Sequence, residues 1–138
     1  TQVGSSAASD VYKRQVPLFF FIFLFAYSEM NKGGKKIEPN ELTRLVNKES
    51  AILIDLRKKE DYENGHIMTA MNYPHQEFDN QMHELEKFKD RPIILVCDMG
   101  RNSANIGEKL KKAEFEKTYR LNGGMMTWTQ ENLPVVQK

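Results

Sequence analysis

The chain has 138 residues, room for one core, because single domains commonly run to roughly 100–200 residues. Charged residues at 28% and hydrophobic ones at 40% are globular values and exclude a wholly disordered chain. From Ile37 to Lys138 there are 15 Lys/Arg against 17 Asp/Glu with no basic stripe and no aromatics interleaved with Arg and Lys, which argues against a nucleic-acid surface, and a single cysteine cannot close an internal disulfide.

Residues 1–15 read as a non-native or disordered leader, since "SSAASDVYKRQ" resembles translated sequencing-adaptor sequence. Val16 to Tyr27, "VPLFFFIFLFAY", then runs for twelve residues without a charge, behind the basic pair Lys13-Arg14. A bilayer-crossing helix needs about 20 apolar residues, so this run falls short of a span as it stands. A truncated membrane anchor, the apolar region of a signal peptide and a buried segment all remain open. Taken as an anchor, the run gives an apolar helix over 16–30, a linker over 31–36 and a folded domain over 37–138. Lys32, Lys35 and Lys36 then put that domain on the cytoplasmic side of a single-pass cell-membrane protein, by the positive-inside rule. The plain alternative for those lysines is a solvated linker.

"IEPNELTRLVNKES" carries Leu42, Leu45 and Val46 at helical spacing after Asn40, a candidate cap, and reads as a short amphipathic helix. "AILIDL" (Ala51 to Leu56) and "PIILVC" (Pro92 to Cys97) are nearly continuous apolar runs of strand length, the pattern of strands buried on both faces. Between them, Phe78, Met82, Leu85 and Phe88 space out a helix in "HQEFDNQMHELEKFKD". Ile106, Leu110 and Ala113 mark a helix after the second run, "KTYRL" gives a third strand before Gly123-Gly124, and "MMTWTQENL" a last short helix. Strands alternating with helices predict an α/β domain: a central parallel sheet with right-handed crossovers and helices on both faces.

The chain's one cysteine, Cys97, stands where "IILVC" breaks into the polar, glycine-containing loop "DMGRNSA". Ligands of open parallel sheets gather at the carboxyl ends of strands, and a helix starts a few residues later. Amides of Asp98 to Ser103 are placed to turn inward as a nest, with the positive end of that helix behind them. Both favour a thiolate, the nucleophilic form of cysteine. Gly100 permits the tight turn, and Arg101 supplies a fixed positive charge. The competing reading is a small buried residue, as free cysteines often are.

The whole pattern resembles the rhodanese (sulfurtransferase) family over about Ile37 to Val136. The features that carry it are "LIDLR" at Leu53 to Arg57, "DYENGHI" at Asp61 to Ile67 followed by Ala70 and Asn72, "CDMGRNSA" at Cys97 to Ala104, and "LNGGMMTW" at Leu121 to Trp128 before "NLP". With its phenylalanine-rich leader, the chain looks like the membrane-anchored single-domain rhodaneses of bacteria. The resemblance implies a single rhodanese-like domain that moves sulfane sulfur by a ping-pong route, with no cofactor and no metal. The Cys97 thiolate would take sulfur from a donor such as thiosulfate or a persulfide and pass it to cyanide or a thiol. Asp98, Met99, Gly100, Arg101, Asn102 and Ser103 would form the substrate-binding loop. Asp55 and Arg57 would be a supporting pair beneath it, or else a plain strand-end salt bridge.

Three departures stand out. Many family members carry a basic or small residue after the cysteine and an arginine five positions beyond it. Here Asp98 and Asn102 hold those places, with the arginine one place early at Arg101. A carboxylate beside the sulfur disfavours the thiolate and repels anionic donors, which makes thiosulfate a doubtful natural substrate. Thr69 also stands where the family usually has glycine after "GHI". A phosphatase loop would need an arginine six positions after the cysteine to clasp phosphate, and position 103 is serine. The rival from another class is a non-catalytic, membrane-tethered binding module on the same fold, with Cys97 a vestige. The histidines, His66, His75 and His83, show no metal-ligand spacing; His66 is expected to fix a turn and His83 to face water.

Overall fold

The computed structural model describes residues 18–26 and 33–137. The chain divides into two compact units, Thr1–Asn31 and Lys32–Lys138. In the first, helix α1 covers 18–26, and its side chains from Leu18 to Phe25 are 44–69% exposed. The leader expected over 1–15, the ends of the anchor at 16, 17 and 27–30, and linker residues 31 and 32 lie outside the described residues. No helix among the described residues is long and apolar enough to cross a membrane.

The second unit is built on five strands: β1 (Lys35–Ile37), β2 (Ile52–Asp55), β3 (Met71–Asn72), β4 (Ile93–Val96) and β5 (Thr118–Leu121). Every pair is parallel, in the order β1-β5-β4-β2-β3. The continuous apolar runs are the central strands, as their composition predicts. On one face Leu53, Ile94, Val96 and Leu121 pack on helices α2 (Pro39–Glu49) and α6 (Gly124–Gln130) through Leu42, Leu45, Met125 and Trp128. On the other, Ile54, Ile93, Leu95 and Cys97 meet Ile106 and Leu110 of α5 (Arg101–Lys112), with Phe78 and Leu85. Helices therefore cover both faces of a parallel sheet, the fold class the sequence predicts.

Where local structure departs from that prediction, the reasons are physical. β1 takes in Lys35 and Lys36, assigned above to a linker; it pairs Lys36 with Arg120 and Ile37 with Leu121, and lysines on an edge strand discourage further pairing. Asn40 is not the cap of α2. The helix starts at Pro39, where the missing N–H costs nothing, and the residue before it is Glu38. The acidic stretch after β2, to which the sequence pattern assigns no element above, forms the short helix α3 (Lys59–Asn64).

The helix predicted across 75–90 is broken. A 3-10 turn at His75–Glu77 leads into α4 (Phe78–Gln81), and Met82–Phe88 is again 3-10. Met82, Leu85 and Phe88 recur every three residues, so a 3-10 coil aligns all three against the core, whereas an α-helix would rotate them apart. Thr69 adopts φ +73, a left-handed conformation that costs a residue with a Cβ roughly 1–2 kcal/mol.

Gly107 lies inside α5, where alanine ordinarily gains about 1 kcal/mol. A Cβ there would sit 1.7 Å from the carbonyl oxygen of Gly33, a backbone atom held by the Gly33 N–H donating to Glu108 Oε1 at 2.8 Å. Gly107→Ala is therefore expected to destabilise the protein by about 2 kcal/mol, the cost of overpacking. Urea unfolding checks it, and any net gain in stability would contradict the close approach.

Candidate functional site

Cys97 follows the last residue of β4, at the carboxyl end of a central strand, and is 2% exposed. Its Sγ accepts a hydrogen bond from the Gly100 amide at 2.9 Å. Gly100 reaches that position at φ +90 and caps α5, whose first residue is Arg101. The nest expected from all the amides of Asp98 to Ser103 thus reduces, among the described residues, to this one donor on sulfur.

A second element shapes the loop. The amides of Met125 and Met126, at the start of α6, donate to the carbonyl oxygens of Cys97 at 2.7 Å and Asp98 at 3.0 Å. Such an approach is open only to glycine at position 124. Its φ is +60, and a Cβ would lie 2.1 Å from the Cys97 oxygen and 2.8 Å from that of Asp98. The "GG" of "LNGGMMTW" is thereby tied to the cysteine loop, tail against tail.

The remaining candidates take distinct places. Ser103 is buried and donates its hydroxyl to the Gly100 oxygen at 3.0 Å, bracing the turn from below. Asp98, Met99 and Asn102 are exposed. The side chain of Arg101 lies outside the described part of the structure. Asp98, being exposed, is bathed in water that screens its carboxylate, which weakens the repulsion its sequence position suggests.

Asp55 and Arg57 form a two-pronged ion pair at the end of β2, with Nη2 to Oδ2 at 2.8 Å and Nε to Oδ1 at 3.0 Å. Arg57 also donates to the Gly65 carbonyl at 2.7 Å, and Asn72 donates to the carbonyls of both Asp55 and Arg57. The pair pins the end of β2 to the turn at Gly65. Arg57 and Asp98 line one 410 Å³ cavity together with Asp61, Met125 and Thr129. His66 is buried against that turn: its ring stacks on Tyr62 at 3.8 Å, and its backbone bridges to Val136. Burial pushes the Tyr62 phenol up, with the Asp55 charge adding to it. His83 is exposed, as expected. Another cavity, of 780 Å³, opens beside Lys58, Tyr62, Asn72 and Pro74 and contains no residue of the cysteine loop. Its size carries no chemistry, whereas the loop brings a thiol, the Gly100 amide and a helix start together.

Sequence reasoning missed Arg120. It sits on β5 beside Leu95 of β4, so its side chain shares a sheet face with Leu95 and Cys97, and it is 5% exposed. Its Nε donates to the Gly34 carbonyl at 3.2 Å. Burial lowers its pKa from the ordinary guanidinium value, while the charges of Cys97 and then Glu108 pull it back up. The signal was present as an arginine at an inward position of an otherwise core-facing strand.

Comparison with known proteins agrees with this geometry. The sequence pattern of the Rhodanese-like domain matches residues 38–131. The uncharacterized protein YibN of Escherichia coli K12 is 35% identical over 123 residues, covering 88% of this chain and 86% of YibN. Thiosulfate sulfurtransferase GlpE of Shewanella oneidensis is 29% identical over 98 residues, covering 71% of this chain and 95% of GlpE. The crystal structure of a rhodanese-like domain protein from Staphylococcus aureus superposes with a TM-score of 0.64 at 26% identity, covering 75% of this chain and 98% of that one.

The Asp55–Arg57 pair is a buried one, with Asp55 at 1% exposure, so removing one partner leaves a charge stranded. Arg57→Met is expected to lower the unfolding free energy by about 3 kcal/mol. Asp55→Leu combined with Arg57→Met should recover part of that loss. Urea denaturation at neutral pH checks both, and a loss below about 1 kcal/mol for the single variant would mark the pair as an ordinary surface bridge.

Proposed function

The chain belongs to the rhodanese-like domain family, and we propose that it is a sulfurtransferase carrying sulfane sulfur on Cys97. The observation that carries the reading is the Gly100 amide donating to Cys97 Sγ at 2.9 Å at the end of a central parallel strand. The relatives named thiosulfate sulfurtransferase support the activity class.

In the first half-reaction the Cys97 thiolate attacks the outer sulfur of thiosulfate, or the terminal sulfur of a donor persulfide. A Cys97–S bond forms, the donor's S–S bond breaks, and sulfite or a thiolate leaves with the electron pair. In the second, cyanide or an acceptor thiolate attacks the outer sulfur of the Cys97 persulfide and leaves as thiocyanate or a new persulfide, returning the Cys97 thiolate. Neither half-reaction needs a general base once the thiolate is formed, in keeping with a loop that offers no partner histidine. An amide aimed at the sulfur stabilises the negative charge that moves between the inner and outer atoms. Cys97 is 2% exposed, so the loop must open for a donor to enter. That burial, with a carboxylate next in sequence, is what favours the second reading, a rhodanese-fold binding module in which Cys97 is not turned over.

Intact mass spectrometry separates the two. With excess thiosulfate or a persulfide donor, the protein should gain the mass of one sulfur, lose it to a thiol or cyanide, and fail to gain it as Cys97→Ser. A wild-type protein that takes no thiol-reversible sulfur from either donor class is the binding module.

We further propose that the apolar run around α1 tethers the domain to the cell membrane, with the domain on the cytoplasmic side. What supports this is a helix whose described residues are all apolar and exposed. The native protein should sediment with membranes and stay there in high salt, being freed by detergent. Release by salt alone would leave only a peripheral attachment.

A further inference from the structure

The 780 Å³ cavity beside α3 and β3 lies apart from the cysteine loop, and its volume falls within the range of about 300–1,000 Å³ common to small-molecule sites. Size alone assigns it nothing; its lining does. Tyr62, Asn72, Pro74 and Gln81 are the half-buried part of that lining. Among these groups the donors are already spent and acceptors are left. The Tyr62 hydroxyl gives its one proton to the Ala70 carbonyl at 2.6 Å. Asn72 donates from Nδ2 to the carbonyls of Asp55 at 3.1 Å and Arg57 at 2.9 Å, two bonds for two protons, which leaves its Oδ1. Gln81, the last residue of α4, carries a carboxamide whose Oε1 is buried and has no hydrogen-bond partner among the described residues. A buried acceptor in that state is costly, and turning the carboxamide to meet a donor held in the cavity relieves the cost.

Charge at the mouth has the same sense. Exposed Lys59 pairs with Glu63 at 3.9 Å, which leaves the exposed carboxylates of Glu60 and Glu77 against Lys58. A group that carries positive charge and donates several hydrogen bonds answers both features, whereas an anion answers neither. We propose that this cavity binds an organic cation, a guanidinium or ammonium head on a short apolar stem. The head takes the oxygens of Asn72 and Gln81, the rings of Tyr62 and Pro74 cover the stem, and Glu60 and Glu77 attract the charge from the mouth. Cys97 has no part in this site, which stands or falls apart from the sulfur-transfer reading.

The test is isothermal titration of the full chain, held in a neutral detergent, at low and constant ionic strength. Agmatine, which has a guanidinium and an ammonium on a four-carbon stem, should bind saturably; glutarate, a dianion of similar length, should not. Gln81→Leu should weaken agmatine binding about tenfold, and Gln81→Glu should tighten it by placing a full charge on the acceptor. Glu77→Lys, at an exposed position where folding is not at stake, should also weaken it about tenfold. A peptide with blocked ends and a central arginine, titrated in parallel, separates the sources of the cation. Tighter agmatine binding marks a free amine and tighter peptide binding marks a protein side chain; either, with the same dependence on Gln81 and Glu77, supports the site. Absence of saturable binding by both cations, equal binding of glutarate, or unchanged affinity in Gln81→Leu and Glu77→Lys overturns it.

Discussion

The cysteine loop is held by its carbonyls. Met125 and Met126 present their amides to the oxygens of Cys97 and Asp98, and those two bonds fix how the peptides of the loop are turned. The two peptides they hold lie just before the one whose amide, at Gly100, faces the sulfur. The contact exists because Gly124 has no side chain to hold the helix off, and because Gly123 and Gly124 both accept positive φ. The first turn of α6 is therefore a structural part of the site, though it holds no group that could react. The same helix buries Met125 and Trp128 in the core, so the packing that stabilises the fold also sets the loop.

Charge is distributed around this loop by depth. Asp55 and Arg57 neutralise one another beneath it and spend their remaining hydrogen bonds on the turn at Gly65, which makes them a fastening of the sheet end. They meet the loop at the cavity that Arg57 shares with Asp98. Arg120, by contrast, has no carboxylate at ion-pair distance among the described residues and lies on the face of the sheet that carries Cys97. One arginine is fully occupied in structure; the other has hydrogen-bonding capacity to spare beside the reactive atom.

The parts of the fold that could be read from the sequence are those where composition and burial say the same thing. Ile52 to Asp55 and Ile93 to Val96 are central strands and look like it. β1 and β3 escaped because three and two residues carry too little pattern, and because the lysines of β1 read as linker. The broken helix at 75–90 shows how a spacing of three, repeated from Met82 to Phe88, hides inside one of three or four. In the site, Cys97 and its glycines announced themselves at a strand end, whereas the contact between Gly124 and the Cys97 oxygen joins residues 27 apart in sequence and leaves no local trace. Thr69 is the reverse case. The family usually has glycine at that place, and the chain holds φ +73 there with a β-branched residue.

The acidic neighbour of the cysteine looks, in sequence, like the strongest argument against chemistry at Cys97. Depth reverses the weighting. Asp98 is exposed, and at equal distance a charge acting through water is felt about four times less than one acting through the effective dielectric of about 20 that suits protein sites. Arg120 is 5% exposed and acts from the interior side of the same loop. The Gly100 amide points at the sulfur, while the exposed carboxylate next in sequence is turned to water. A polypeptide can thus keep a carboxylate next to a cysteine in sequence and still place a buried arginine and an amide donor on that cysteine's inner side in space.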